Sequence, residues 1–308
     1  MIAFFARIFG FVLNFIYEFV QNYGLAIIIF SILVKVVMIP ISIKQQKTMK
    51  KSTKIQAKMK ELQLKYKNNP EKLNQETLEL YKTENMSPFS GCLSAIVQII
   101  LLFAVFYLVR SPLTYMKKVD EGVINKYTKI IHEYDLSTNS AYPEIDLIRE
   151  LDNIRNLKNS ENVEESEERT NLVEIKDEEL DEMNINMEFF GLNLAQVPTQ
   201  SSDWKAYIIP VLYVLVAVLS MKVTNPTSTS KSVVTEENKD EKSLTKPEEE
   251  FDPMAQMNKN MNMMFPVMYL AVALIAPLGL ALYWLMNSLL MMVERLALNK
   301  LLKDEEEN

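Results

Sequence analysis

The sequence predicts an all-α polytopic membrane protein: five membrane-spanning helices, an N-terminal interfacial helix and a cytoplasmic helical hairpin. Three observations carry this expectation. Apolar and charged blocks alternate along the 308 residues, although the mean hydropathy is close to zero. The apolar blocks approach the ~20 residues that a helix rising ~1.5 Å per residue needs to cross a ~30 Å hydrocarbon core. The first strongly apolar block, 24–43, is followed at once by Lys44, Lys47, Lys50, Lys51, Lys54, Lys58 and Lys60. Basic charge of this density marks the cytoplasmic side.

Residues 1–22 place Ala3, Arg7, Gly10, Asn14, Glu18 and Gln21 at intervals of three or four, opposite Phe5, Ile8, Phe9, Val12, Phe15, Ile16 and Phe19. This is the pattern of an amphipathic helix lying in the interface. A signal peptide fits less well, because a strong basic start and an A-x-A-like cleavage site are missing. An additional span is the other alternative. The first span, 24–43, carries Pro40 near its end, which membrane helices tolerate.

Residues 44–87 read as a basic cytoplasmic hairpin of two helices. Met49, Ser52, Ile55, Met59, Leu62 and Tyr66 recur at helical spacing until Asn68-Asn69-Pro70 interrupts them. Asn69 is suited to cap a second arm whose first residue is Pro70. The second span covers 91–110 and holds Gln98 as its strongly polar interior residue. Residues 111–203 form an acidic extracytoplasmic segment, in which 142–157 has helical periodicity and 160–170 reads as solvated loop.

The third span, 206–222, is preceded by Trp204 and includes Tyr207, both at the level of an interfacial aromatic belt. Residues 223–258 read as a disordered cytoplasmic loop. Residues 262–297 break at Pro277-Leu278-Gly279 into a fourth span, 262–276, and a fifth, 279–297. At ~15 residues, or ~22 Å, the fourth is short and implies local thinning or tilt. The acidic tail, 298–308, lies in the cytoplasm, so an odd number of spans puts the N-terminus outside.

Composition excludes several chemistries. One Cys, Cys92, and one His, His132, leave no disulfide framework and no Cys/His metal centre. P-loop, HExxH, GxSxG and CxxC patterns are absent from the sequence, so neither an enzyme nor a cofactor is expected. Lys35 is the one charge inside 24–43, at a cost of about 2.5–3.5 kcal/mol near a bilayer centre. Two placements relieve that cost. The stem can snorkel toward the cytoplasm, or Lys35 can face a wet cavity open to the cytoplasm, with Gln98, Ser220, Asn287 and Ser288 available to line it. Glu294, near the end of the last span, is the nearest carboxylate. Without deep carboxylates or internal repeats, an ion-coupled transporter is disfavoured.

Several blocks carry a family resemblance. Gly24-Leu25-Ala26-Ile27-Ile28 with Lys35 and Pro40, then a Gln/Lys/Met-rich hairpin, resembles the first conserved span of the YidC/Oxa family of membrane protein insertases. So do Ser87-Pro88-Phe89-Ser90-Gly91-Cys92-Leu93 leading to Gln98, and Phe190-Gly191-Leu192-Asn193-Leu194 followed by Pro210. The most specific block is Pro277-Leu278-Gly279-Leu280-Ala281-Leu282-Tyr283-Trp284, then Asn287. The blocks follow the family's order over nearly the whole chain, which is similar to the shorter form of Gram-positive bacteria.

The resemblance implies a bacterial plasma-membrane insertase whose five spans surround a hydrophilic groove open to the cytoplasm. It implies groove residues Lys35, Gln98, Tyr213, Ser220, Tyr283, Trp284, Asn287 and Ser288, and early substrate contact at Met49, Ile55, Met59 and Leu62 of the hairpin. It implies nascent membrane proteins as substrates, contact with lipid, the Sec translocon and the ribosome as partners, no nucleotide hydrolysis and no nucleic-acid specificity. The chain departs from the family in four places. Lys35 stands where Arg is common. Val216, Ala217 and Ser220 make the third span less polar. Asp304 to Glu307 leave the tail without the basic charge suited to ribosome contact. The 111–203 segment is longer than usual. Two other classes stay beside the insertase: a channel or transporter, and an assembly factor for subunits already inserted.

Overall fold

In the computed structural model the described residues are 2–67, 69–84, 90–136, 141–159, 175–224 and 268–307. The expected disordered loop, 223–258, lies almost entirely outside them, as do the solvated loop at 160–170 and the start of the fourth span. The chain divides into two compact units, Met1–Asn186 and Met187–Asn308.

The first unit opens with α1, Ile2–Val20, and α2, Tyr23–Lys65. The side chain of Asn22 caps α2 by accepting from the Leu25 N–H at 3.0 Å. The first span and the first hairpin arm are therefore one continuous helix, with Pro40 inside it. Proline has no N–H to donate four residues back, yet the helix continues on the bonds around it. The second arm, α3 (Pro70–Thr83), begins as the sequence predicts. Asn69 Oδ1 accepts from the Lys72 N–H at 3.1 Å and Pro70 takes the first turn. α4 covers Ser90–Arg110 and passes into a short π-helical turn, Leu113–Lys117.

α1 packs against α2, α4 and the π-turn, with Ala6, Gly10, Leu13 and Tyr17 buried. Phe4, Phe11, Phe15 and Phe19 face outward. By length and composition Ile2–Val20, Tyr23–Thr48 and Leu278–Leu301 are each able to cross a bilayer, while Ile100–Arg110 and Trp204–Ser220 are apolar but shorter among the described residues. α1 thus meets the requirement for a span as well as for an interfacial helix. Gly10 sits where the backbones nearly touch: a Cβ there would lie 2.0 Å from the Tyr115 carbonyl oxygen.

The described parts of the acidic segment after α4 are folded. α5 (Glu121–Glu133) buries Ile124, Tyr127, Ile130 and Ile131, and α6 (Pro143–Asn159) buries Leu147, Leu151 and Ile154. α7 (Asp177–Met183) adds Leu180 and Met183, with Asp177, Glu178 and Glu179 in its first turn, where acidic charge complements the helix dipole. Ion pairs tie the outer faces: Lys126 to Glu179 at 2.9 Å, Lys158 to Asp177 at 2.7 Å, and Arg155 to Asp181. Burial alone would push the Glu179 carboxyl up, but hydrogen bonds from Lys126 and Tyr127 and the charges of Lys126 and Lys176 hold it below the usual carboxylate range.

Two polar side chains join this segment to the helix ends. Glu144 is buried, and its Oε2 accepts from the backbone N–H groups of Leu113 and Thr114 at 2.7 and 3.1 Å. Its Oε1 accepts from the Thr114 hydroxyl at 2.7 Å. Asn186 accepts from the Tyr23 N–H through its carbonyl at 3.0 Å, and its own N–H donates to the Tyr17 hydroxyl at 2.8 Å. Its side-chain amide donates to the Gln21 carbonyl, which fixes the elbow between α1 and α2.

The second unit starts with a hairpin, β1 (Glu188–Phe189) and β2 (Leu192–Asn193), with Glu188 opposite Asn193. Short 3-10 turns at Pro198–Gln200 and Trp204–Tyr207 lead into α8, Ile208–Thr224. The helix at 268–275, α9, ends at Ala276-Pro277, and α10 runs from Leu278 to Glu307. The break expected at Pro277 is present, and the tail continues as helix. The first N–H groups of α10 are satisfied by the preceding loop: Leu278 donates to the Gln196 carbonyl and Gly279 to the Leu194 carbonyl, each at 2.9 Å.

Gly10→Ala is expected to destabilise the protein by about 1–3 kcal/mol, because the new methyl meets backbone rather than a flexible side chain. The thermal midpoint in detergent measures it. Burial raises the Glu144 carboxyl above its ordinary pKa, outweighing the bonds from Thr114, Leu113 and Ser111. The folded state therefore holds the proton more tightly. That contribution is full below the ordinary carboxylate pKa and is lost as pH rises through the raised one. Glu144→Gln is expected to keep the cap and flatten this part of the pH–stability profile. Glu144→Ala, which strands the buried Leu113 N–H, is expected to cost about 1–3 kcal/mol.

Candidate functional site

In the first unit Lys35 lies within the apolar part of α2 and is half-buried. Helical spacing surrounds it with apolar neighbours one turn away, Ile32 and Ile39, both exposed on the protein surface. A charged side chain thus emerges from a lipid-compatible helix. Gln98 lies on α4, but its side chain is outside the described residues, as is that of Met49.

The hairpin residues divide. Ile55 is only 2% exposed, so it is covered and does not present an open contact surface. Met59 is half-buried, and its Sδ accepts from the Thr77 hydroxyl on the opposite arm at 3.4 Å. Leu62 is also half-buried. Lys58 to Glu84 at 2.5 Å and Tyr66 to Glu76 at 3.2 Å close the arms further. Among the described residues the large apolar side chains that the hairpin exposes are Leu64 and Leu78, which helical spacing does not single out. Their signal was available: each is a lone Leu on an otherwise polar face.

In the second unit the structure brings Tyr213 and Trp284 together, with ring centroids 5.9 Å apart, and adds Tyr269 at 6.0 Å from Tyr213. Tyr213 lies five residues into α8 and Trp284 six into α10, so these two helices run side by side with their starts level. Tyr269 was not among the expected residues. Finding it required the register of α9 against α8, which no local pattern in 262–276 specifies. Ser220 and Tyr283 are buried, while Trp284, Asn287 and Ser288 are half-buried along α10. Positions 284, 287 and 288 share one helical face. That face combines an aromatic ring with an amide and a hydroxyl, a surface able to meet both apolar and polar groups.

Among the described residues no group of His, Cys, Asp or Glu is arranged to hold a metal ion.

Residues 15–306 match the protein family described as 60Kd inner membrane protein. A protein named Membrane protein insertase YidC from Chlorobaculum tepidum is 47% identical over 102 residues, which are 33% of this chain and 17% of that protein. Its namesake from Pelodictyon phaeoclathratiforme is 50% identical over 95 residues, 31% of this chain and 16% of the relative. The protein of the same name from Caldanaerobacter subterraneus subsp. tengcongensis is 40% identical over 102 residues, 33% of this chain and 50% of the relative. These matched stretches span at most half the length of the relatives.

The aromatic cluster should be a packing unit first. Tyr213→Phe keeps both ring contacts and is expected to leave the thermal midpoint in detergent nearly unchanged. Tyr213→Ala is expected to cost about 3 kcal/mol and to shift Trp284 emission, since the indole loses its neighbour.

Proposed function

The chain belongs to the 60Kd inner membrane protein family, and on that premise we propose that it is a membrane protein insertase. It moves short N-terminal tails and apolar segments of nascent membrane proteins into the bacterial membrane, without nucleotide hydrolysis, alone or beside the Sec translocon. The observation that carries this reading is the family match over 15–306, which includes every motif block from the first span to the last. The relatives' name, Membrane protein insertase YidC, points the same way.

The physical account begins with Lys35. A hydrophilic groove open to the cytoplasm would hydrate this ammonium and remove the cost of keeping charge in an apolar helix. A positive, hydrated site then stabilises an acidic or polar tail part-way across hydrocarbon. Burial of the substrate's apolar segment in lipid, worth about 25 cal/mol per Å² removed from water, supplies the driving force. The face of α10 bearing Trp284, Asn287 and Ser288 offers the segment a surface to slide along. Leu64 and Leu78, exposed on the hairpin among Lys and Glu, suit first contact with an apolar nascent chain. The N-terminus is outside and the C-terminus inside in this arrangement, supported by the basic run after 24–43.

The test is reconstitution in liposomes free of Sec proteins, with a single-span client that carries an acidic N-terminal tail. Protection of that tail from external protease is read for the native protein, Lys35→Arg and Lys35→Glu. Native protein and Lys35→Arg are expected to translocate it. Lys35→Glu is expected to reduce protection about tenfold, equivalent to losing ~1.4 kcal/mol of charge attraction. Equal activity of all three would remove Lys35 from the mechanism. Failure of all three, where a known insertase succeeds, would sink the autonomous-insertase reading and favour an assembly factor.

A further inference from the structure

The Phe190-Gly191 tip of the small hairpin has no role in the account above, and its conformation is unusual. Phe190 has φ 50° and Gly191 φ 76°. Glycine takes that left-handed region freely, whereas an aromatic residue is strained there. Asn or Gly at the first position would make the same two-residue turn without strain. The chain instead holds a phenylalanine there, and 90% of its surface is exposed. Among the described residues its one ring contact is edge-on to Phe189, with centroids 4.7 Å apart. A Cβ at Gly191 would meet nothing within 4 Å, so the turn is open at its second residue as well. A large apolar side chain, exposed on a strained backbone, needs an apolar environment from elsewhere.

The position of the hairpin says which. Its base is bonded through the Leu194 N–H to the Met187 carbonyl, and the Leu194 carbonyl accepts from the Gly279 N–H at the start of α10. The hairpin base is thus level with the start of an apolar helix long enough to cross a bilayer. Three residues separate Met187 from Phe190, so the tip lies within about 10 Å of that level. The zone between hydrocarbon and bulk water is itself only about 5–8 Å deep on each side. Trp204 is 71% exposed and Tyr207 is exposed just before α8, whose start is level with that of α10. Exposed aromatic residues at this depth are the side chains that seat at the headgroup boundary.

We propose that the Phe190-Gly191 tip is a lipid anchor: it inserts the Phe190 ring into the headgroup–acyl boundary and, together with Trp204, holds the outer ends of α8 and α10 at a set depth. The occupant of the exposed ring is the bilayer, not a client or a protein partner. The anchor does not depend on the insertase reading and would stand if that reading failed.

The test places a nitroxide at Phe190→Cys on a Cys92→Ser background, with the full chain in phosphatidylcholine/phosphatidylglycerol vesicles. Collision with oxygen, which concentrates in lipid, is compared with collision with a water-soluble nickel chelate. Val211→Cys, on the exposed face of α8, gives the lipid reference, and Glu178→Cys gives the aqueous one. The anchor requires the label at 190 to behave like the one at 211, rich in oxygen contact and shielded from nickel. Nickel access equal to that at 178 would overturn it, and so would shielding from both agents, which would mean protein covers the tip. A second measurement avoids the label. Phe190→Asn suits the left-handed backbone, so its thermal midpoint in detergent should match or exceed the native value. The rise in midpoint on transfer into lipid nanodiscs should then be smaller than for the native protein. An equal rise would refute the anchor.

Discussion

A backbone N–H group that leaves the hydrocarbon must find an acceptor, and both units are organised by how that demand is met. Apolar helices satisfy their own interiors, but the first turns of each helix have donors without intrahelical partners. In the first unit, the acidic segment supplies the acceptors, through the Glu144 carboxylate and the Asn186 backbone carbonyl. Glu144 takes the N–H groups at the start of the π-turn, and Asn186 takes that of Tyr23. In the second unit, the loop after the hairpin does so with its own carbonyls, at Leu278 and Gly279. Stretches that look like mere connections by composition are the parts that terminate the apolar helices.

This explains how a segment rich in Glu and Asp comes to have a packed interior. Part of its charge lies on the outer faces of α5, α6 and α7, in pairs such as Lys158 with Asp177, while Glu144, Asp146 and Glu150 of α6 are buried. Ile124, Tyr127, Leu147, Ile154 and Leu180 fill the inside. Pairs whose carboxylate is exposed, such as Lys158 with Asp177, contribute little each, on the order of 0–1 kcal/mol. The apolar residues and the buried Glu144 cap hold the segment together. The close approach of Gly10 to Tyr115 then locks α1 to the same region.

The proposed insertase chemistry needs the opposite property, a polar group tolerated where lipid should be. Lys35 provides charge, and the face of α10 with Trp284, Asn287 and Ser288 provides mixed polarity. In the same unit, the Tyr213–Tyr269–Trp284 cluster sets the register of α8, α9 and α10 against one another. A packed helix cluster and a partly polar helical face are different demands on one chain, and different residues meet them.

The sequence by itself determined the class of the protein. Twenty-residue apolar runs, a basic flank and a Pro-Leu-Gly break are local signals whose meaning follows from bilayer thickness and proline geometry. The Asn69 cap and the Pro277 break were therefore legible, as was the family through its ordered motif blocks. What only the tertiary structure decided depends on contacts between residues far apart in sequence. No periodicity joins Glu144 to Leu113, Asn186 to Tyr17, or Tyr269 to Tyr213. Ile55 reads the same on a helical wheel as Met59 and Leu62, yet its burial is set by what packs over it. The left-handed Phe190 was equally hidden, because a motif shows which residue stands at a turn but not the backbone angle at which it is held.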